Sequence, residues 1–216
     1  MAYIEGVAPV HRSKDPMPAD PPPAARSAPP LVAVAASAGG IQALGELLYA
    51  LPPTFPGALL VVVHLEPTRV SYLAQVLDRP SPLPVRQAAA GVRPRAGHVY
   101  VAPPDRHLVV RRSGCLGLAD TPREHYSRPS AEPLFASLAA YCGPRAVVVV
   151  LSGMGCDGSA GVAAVARAGG TVLAQDAGSA GYFSMPSAAI ATGCVAHVLP
   201  PGDMAPLLTS LITGGD

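Results

Sequence analysis

Three side chains of complementary chemistry each follow an apolar run. Ser37 closes the run in LVAVAASAGG (residues 31–40). His64 follows LLVVV (residues 59–63), and Asp157 lies in SGMGCDG, directly after AVVVVL (residues 146–151). A serine hydroxyl is a weak nucleophile until a neighbouring base takes its proton, and a histidine base works best when an acid fixes its tautomer and stabilises its cation. A hydroxyl, an imidazole and a carboxylate are the set that this chemistry needs. Small neighbours of Ser37, namely Ala35, Ala36, Ala38 and Gly39, leave room for a carbonyl to approach.

Each residue alone has a plainer reading. Strand-Ser-x-Gly-Gly also makes simple turns and phosphate sites. A histidine at a strand end often bonds only to backbone, and an aspartate in Gly-x-Asp-Gly is often a helix cap. Their chain order, Ser then His then Asp, also differs from the Ser, Asp, His order of α/β-hydrolases.

The flanking elements decide whether the three can meet. Behind Ser37, GIQALGELLYAL places Ile41, Leu44, Leu47, Leu48 and Leu51 on one helical face. Ser37 is therefore expected in a strand–turn–helix bend, where unpaired helical N–H groups favour developing negative charge. Continuous apolar runs such as LLVVV suit strands buried on both faces. A helix is expected over 68–77, and three β-like pieces (97–102, 107–112 and 116–119) read as an antiparallel excursion. Further helices are expected over 130–141, 159–168, from Ser184 and over 203–212, with strands over 171–174 and 195–199. Strands alternating with crossover helices predict an α/β fold: a doubly wound, mostly parallel sheet flanked by helices in a Rossmann-like three-layer arrangement. Sites in such sheets form beyond the carboxyl ends of the strands, which is where all three residues fall.

Composition narrows the classes. The 216 residues are 50% hydrophobic and 13% charged, with a net charge of +1. That suits a buried sheet and offers no basic patch for nucleic acid or an anionic membrane. The longest apolar runs are too short to span a bilayer, and no signal-peptide pattern is visible. Residues 1–30 hold eight prolines and read as a disordered tail, His11 included, leaving 31–216 as the catalytic domain. Cys115, Cys142, Cys156 and Cys194 form no CxxC pair, so free thiols and a cytoplasmic location are expected. Cys156 beside Asp157 has no sign of activation. His98, His107 and His125 match no common metal-ligand spacing, and structural or solvated roles are expected for them.

The stretches AASAGGIQAL, VVVHLEPT, AGHVYVAPPDRHL, RPSAEPLF, VVLSGMGCDGSAG and MPSAAI together resemble the catalytic domain of bacterial chemotaxis protein-glutamate methylesterases, the CheB family. The resemblance runs in order over nearly all of residues 31–212. It implies hydrolysis of glutamyl methyl esters on chemoreceptors, and in many members deamidation of receptor glutamines. It places the nucleophile on Ser37, the histidine on His64 and the aspartate on Asp157. Oxyanion-binding backbone amides would be those of Ala38 and Met154. No metal or organic cofactor is implied. The sequence departs from the family pattern at Ala35 (usually Gly), Ala38 (Ser or Thr), Cys156 (Asn) and Glu132 (Asp). Familiar members also carry an N-terminal receiver domain. Thirty Pro-rich residues cannot form one, so a stand-alone domain without a phosphorylation switch of its own is expected.

Arg69 and Arg128 are candidates for steering an acidic receptor helix, or are ordinary surface arginines. Methyl-accepting receptors are the expected partners, with a receptor methyltransferase as a further one. Two other readings stand beside this: a serine esterase of the same fold with another substrate, and a weakly catalytic module that docks on receptors or a methyltransferase.

Overall fold

The computed structural model describes residues 28–64 and 71–214. The tail expected at 1–30 therefore lies outside the described residues as far as residue 27. The strands are β1 Leu31–Ala36, β2 Ala58–Val63, β3 Val85–Gln87, β4 His98–Val101, β5 His107–Val110, β6 Leu116–Ala119, β7 Val147–Val150, β8 Thr171–Gln175 and β9 His197–Leu199. The helices are α1 Gly40–Ala50, α2 Leu73–Asp78, α3 Ala131–Cys142, α4 Ser159–Arg167, α5 Ser184–Ala191 and α6 Pro201–Thr213.

Seven strands form one sheet in the order β3-β4-β2-β1-β7-β8-β9, every neighbouring pair parallel. Its central strands are apolar throughout because both faces are covered. Along β1, Leu31, Ala33 and Ala35 join the core made with Leu134, Phe135 and Leu138 of α3, Val162 and Val165 of α4, and Met185 of α5. Val32, Val34 and Ala36 point the other way, into the core of Leu44, Leu47 and Leu48 of α1, Leu77 of α2, and Met204 and Leu208 of α6. This period-two alternation between two apolar layers specifies the register, since a one-residue slip would exchange the two faces. Each fully buried Leu or Val side chain contributes about 1.5–3 kcal/mol.

The chain leaves β1 through α1 to β2 on one side, and later places β7 on the other. Strand order thus reverses at β1, and a crevice opens beyond its carboxyl end. Ser37 follows β1 there, His64 follows β2, and Asp157 lies in the loop after β7.

The structure corrects parts of the sequence reading. The piece expected at 97–102 belongs to the main sheet, where β4 pairs in parallel with β2 and β3. The antiparallel excursion is the β5–β6 hairpin alone. Val85–Gln87 adds a short edge strand that the reading missed. The helix expected over 68–77 runs over Leu73–Asp78, with residues 65–70 outside the described residues. Ile41, expected on the apolar face of α1, is 45% exposed, while Leu44, Leu47 and Leu48 are buried. Among the described residues no helix is long and apolar enough to cross a membrane.

Candidate active site

The turn after β1 sets the position of Ser37. Its N–H donates to the Ser152 carbonyl at 2.9 Å, and its carbonyl accepts from Gly40 N–H at 2.9 Å. Between them Gly39 holds φ +70, and a Cβ there would lie 2.8 Å from Ser152 Oγ. Only glycine meets both demands, so helix α1 can start directly behind the serine. Across the crevice, a Cβ on Gly153 would lie 2.9 Å from Ser37 Cβ and 2.6 Å from Met185 Sδ. The 152–155 loop therefore packs its backbone against the serine side chain.

His64 bridges the other two residues. Its Nδ1 lies 3.0 Å from Ser37 Oγ and its Nε2 lies 2.7 Å from Asp157 Oδ2. A carboxylate can only accept, so Nε2 carries the ring proton and Nδ1 is left as the acceptor for the serine hydroxyl. Asp157 is 3% exposed. Burial pushes its carboxyl pKa up, but hydrogen bonds from His64, the Ala131 N–H and Ser130 outweigh it and hold the group below the usual carboxylate value. The acid next to the imidazole is thus kept ionised.

Asp157 is held by helix α3. Ser130, the residue capping α3, donates its hydroxyl to Asp157 Oδ1 at 2.5 Å, and Ala131 N–H donates to Oδ2 at 2.7 Å. The favour is returned by Glu132 in the first turn of α3. Its carboxylate accepts from the N–H groups of Gly158 (2.9 Å), Ala160 (3.1 Å) and Gly161 (2.5 Å) at the start of α4. Each helix start is therefore met by a carboxylate from the other segment, as orphan N–H groups and the positive helix end require. His107 is fully buried and completes the support. Its Nδ1 accepts from Ser130 N–H at 3.2 Å, and its Nε2 pairs with the Pro122 carbonyl at 3.0 Å.

A neutral network supports the serine from β8. Gln175, 1% exposed, accepts from Ser152 N–H at 2.7 Å and donates to Ser179 Oγ at 3.1 Å. Ser152 Oγ donates to the Ala38 carbonyl at 2.8 Å and accepts from Tyr182 N–H at 3.0 Å. In the loop after β7, Gly153 N–H donates to the Tyr182 carbonyl and Gly155 N–H to Ser184 Oγ. Among the described residues, the N–H groups of Ala38 and Met154 have no protein acceptor.

The other candidates separate clearly. Arg128, a candidate for steering substrate or an ordinary surface arginine, is engaged inside the protein: Nε and Nη2 donate to Asp105 Oδ1, and Nη1 donates to the Asp120 and Thr121 carbonyls. This geometry anchors a loop and leaves little to offer a substrate. Arg69 lies outside the described residues. His98 Nδ1 meets the Ala96 carbonyl. All four cysteines are free, with Cys142 buried and Cys156 exposed. Sequence reasoning gave no role to Ser130, Ser152 or Gln175, and noted Glu132 only as a departure from the family pattern. The available signal was Ser-Ala-Glu at the start of α3, which reads as an ordinary helix beginning.

Comparison with known proteins identifies the family. The CheB methylesterase family model matches residues 32–208. The chain is 40% identical over 188 residues to the protein-glutamate methylesterase/protein-glutamine glutaminase of Yersinia pestis, covering 86% of this chain and 54% of that protein. It is 42% identical over 184 residues to the protein-glutamate methylesterase/protein-glutamine glutaminase 2 of Burkholderia pseudomallei strain K96243, covering 85% and 54%. It thus spans about half the length of the curated relatives it matches. The crystal structure of the Thermotoga maritima CheB methylesterase catalytic domain superposes with a TM-score of 0.81 at 32% identity, covering 85% of this chain and 98% of that one. A family model spanning most of the chain, and a solved catalytic domain matched almost end to end, establish that the chain belongs to the CheB methylesterase family.

Proposed function

We propose that this chain is a protein-glutamate methylesterase acting on methylated chemoreceptors, with Ser37 as nucleophile, His64 as general base and acid, and Asp157 as the group that orients and charges His64. The observation that carries the reading is the unbroken hydrogen-bonded chain from Ser37 Oγ through His64 to Asp157 beyond the carboxyl ends of the central strands. As Ser37 Oγ attacks the ester carbonyl, its proton passes to His64 Nδ1. The N–H groups of Ala38 and Met154 receive the oxyanion. Collapse breaks the bond to the methoxy oxygen, which takes the proton from Nδ1 and leaves as methanol. Water then gives a proton to Nδ1, attacks the glutamyl-enzyme and releases a free carboxylate with Ser37 restored. General-base action typically contributes about 10²–10⁴-fold, and one oxyanion donor about 10²–10³-fold.

The same intermediate forms from a glutamine side chain if ammonia is the leaving group. The names of the relatives include glutaminase, so deamidation is the second reading. Either substrate places the enzyme in the cytoplasm with the receptor's signalling region, where a receptor methyltransferase would supply the ester. The test is methanol release from methylated receptor. Ser37→Ala should lose activity on the order of 10⁶-fold, by analogy with triad nucleophiles elsewhere. If the variant keeps most of the parental rate, the assignment of Ser37 is wrong.

A further inference from the structure

His107 is a buried titratable side chain that takes no part in the proposed proton transfers. It opens β5, is fully buried, and has both ring nitrogens engaged. The Pro122 carbonyl can only accept, so Nε2 carries the proton that meets it at 3.0 Å. The Ser130 N–H can only donate, so Nδ1 is the bare acceptor at 3.2 Å. The two partners together demand a neutral imidazole in a single tautomer.

The consequence of this arrangement lies at Ser130. Its N–H is held by His107, and its hydroxyl donates to Asp157 Oδ1 at 2.5 Å. The next N–H along the chain, that of Ala131, donates to Asp157 Oδ2 at 2.7 Å. Peptide units are rigid planes, so only φ, ψ and χ1 of Ser130 separate the N–H on His107 from the two donors on Asp157. Anchoring that N–H therefore limits the directions in which both donors can point. Ser130 is extended, with φ −129 and ψ 152, and α3 begins only after it, so no helical bond holds its N–H. Ser130 is itself fully buried. Without His107 its N–H would lack an acceptor, and the start of α3 would turn to find one. The Pro122 carbonyl in turn fixes the ring from the loop between β6 and α3.

We infer that His107 is a positioning residue for the triad, acting through Ser130. It aims the two donors at the start of α3 onto Asp157, which receives His64 Nε2–H on Oδ2 at 2.7 Å. The effect on rate rests on the hydrolase reading above. The effect on the hydrogen bond between Asp157 and His64 does not, so the experiment measures the two separately.

Two substitutions distinguish the two ring nitrogens. In His107→Asn, Oδ1 can stand in for Nδ1 and accept from Ser130, while the contact with Pro122 is lost. In His107→Gln, the side-chain amide can stand in for Nε2 and donate to Pro122, while Ser130 N–H loses its acceptor. Both give up ring packing in a buried position, so urea unfolding should show a similar loss of stability in the two. Three further readouts are the rate at which a fluorophosphonate labels Ser37, kcat and KM for methanol release, and the proton resonance of His64 Nε2–H. His107→Asn should stay within a few-fold of the parent in labelling and kcat, with the His64 resonance in place. His107→Gln should fall about ten-fold in both, equivalent to roughly 1.4 kcal/mol, with KM unchanged and the His64 resonance moved upfield. Equal rates in the two variants, or the larger loss in His107→Asn, would overturn the positioning role and leave His107 as a brace for the Pro122 loop. If the parent fails to label at all, the hydrolase reading falls and the resonance alone decides. A shift in His107→Gln without one in His107→Asn then sustains the role, and any other pattern overturns it. If either variant fails to fold, the ring-nitrogen signals of parent carrying isotope-labelled histidine decide. A bare Nδ1 coupled to Ser130 N–H sustains the role, and a protonated Nδ1 overturns it.

Discussion

The groups that hold His64 and the groups that hold the Ser37 backbone differ in kind. On the imidazole side the support is ionic: Asp157 takes hydrogen bonds from Ser130 and Ala131, and Glu132 answers at the start of α4. On the serine side the support is neutral: Gln175 fixes Ser152, whose hydroxyl and carbonyl fix the turn at Ala38 and Ser37. The difference follows from what each side must do. In the proposed mechanism the imidazole becomes a cation during turnover, so its support needs an opposing charge that is already in place. The serine turn carries no charge of its own before reaction and needs only a fixed backbone. Damage to the ionic side should therefore appear mainly in rate, and damage to the neutral side mainly in stability.

The largest effect expected from this contrast is at Asp157. Asp157→Asn keeps the shape and one accepting oxygen but removes the charge and the hold on the His64 tautomer. A fall in kcat of about 10⁴ is expected, as for the corresponding change in other serine triads. Retention of more than a tenth of parental methanol release would show that the carboxylate charge is not needed. Ser130→Ala should have a smaller effect of the same kind. It removes one charge-assisted hydrogen bond to Asp157 and the cap of α3, whose side chain accepts from Glu132 N–H at 3.2 Å. We expect kcat to fall about ten-fold with KM unchanged, and stability to fall by about 1–2 kcal/mol. A rise in KM with unchanged kcat would mean that Ser130 acts on binding and not on His64.

The sheet was legible in the sequence because runs such as LVAVAA, LLVVV and VVVV leave few alternatives to strands buried on both faces. The strand-end positions of Ser37, His64 and Asp157 followed from the same runs. Strand direction was not legible. Nothing in HVYV says whether β4 pairs in parallel, and the three residues of β3 carry too little pattern to be seen at an edge. The supporting groups were hidden for a different reason. Ser130 and Asp157 are 27 residues apart, and Glu132 and Gly161 are 29 apart. They meet because α3 and α4 pack side by side, and the mutual capping exists only once both helix starts lie together. Arg128 shows the converse: an arginine near the expected mouth looked available, while its partners Asp105, Asp120 and Thr121 become visible only in the folded loop.

The neutral side gives the smallest expected change in rate and so tests the contrast most sharply. Gln175→Leu retains much of the side-chain volume in a buried position but leaves the Ser152 N–H without its acceptor. Ser179 Oγ also loses the donor from Gln175, although it still bonds Asp176. An orphaned buried N–H costs about 1–3 kcal/mol, which for a domain of this size lowers Tm by roughly 2–4 °C per kcal/mol. The Ser37 turn keeps its own bonds to Ser152 and Gly40, and Gly39 keeps its steric fit against Ser152, so the serine should stay within reach of His64. The expected outcome is a clear loss of stability in urea unfolding with kcat for methanol release within a few-fold of the parent. Compared with Ser130→Ala, the two variants should be similar in stability and different in rate. If Gln175→Leu remained folded at the assay temperature yet lost as much kcat as Ser130→Ala, the neutral network would be setting reaction geometry as strongly as the ionic one. The division of labour argued from charge would then fail.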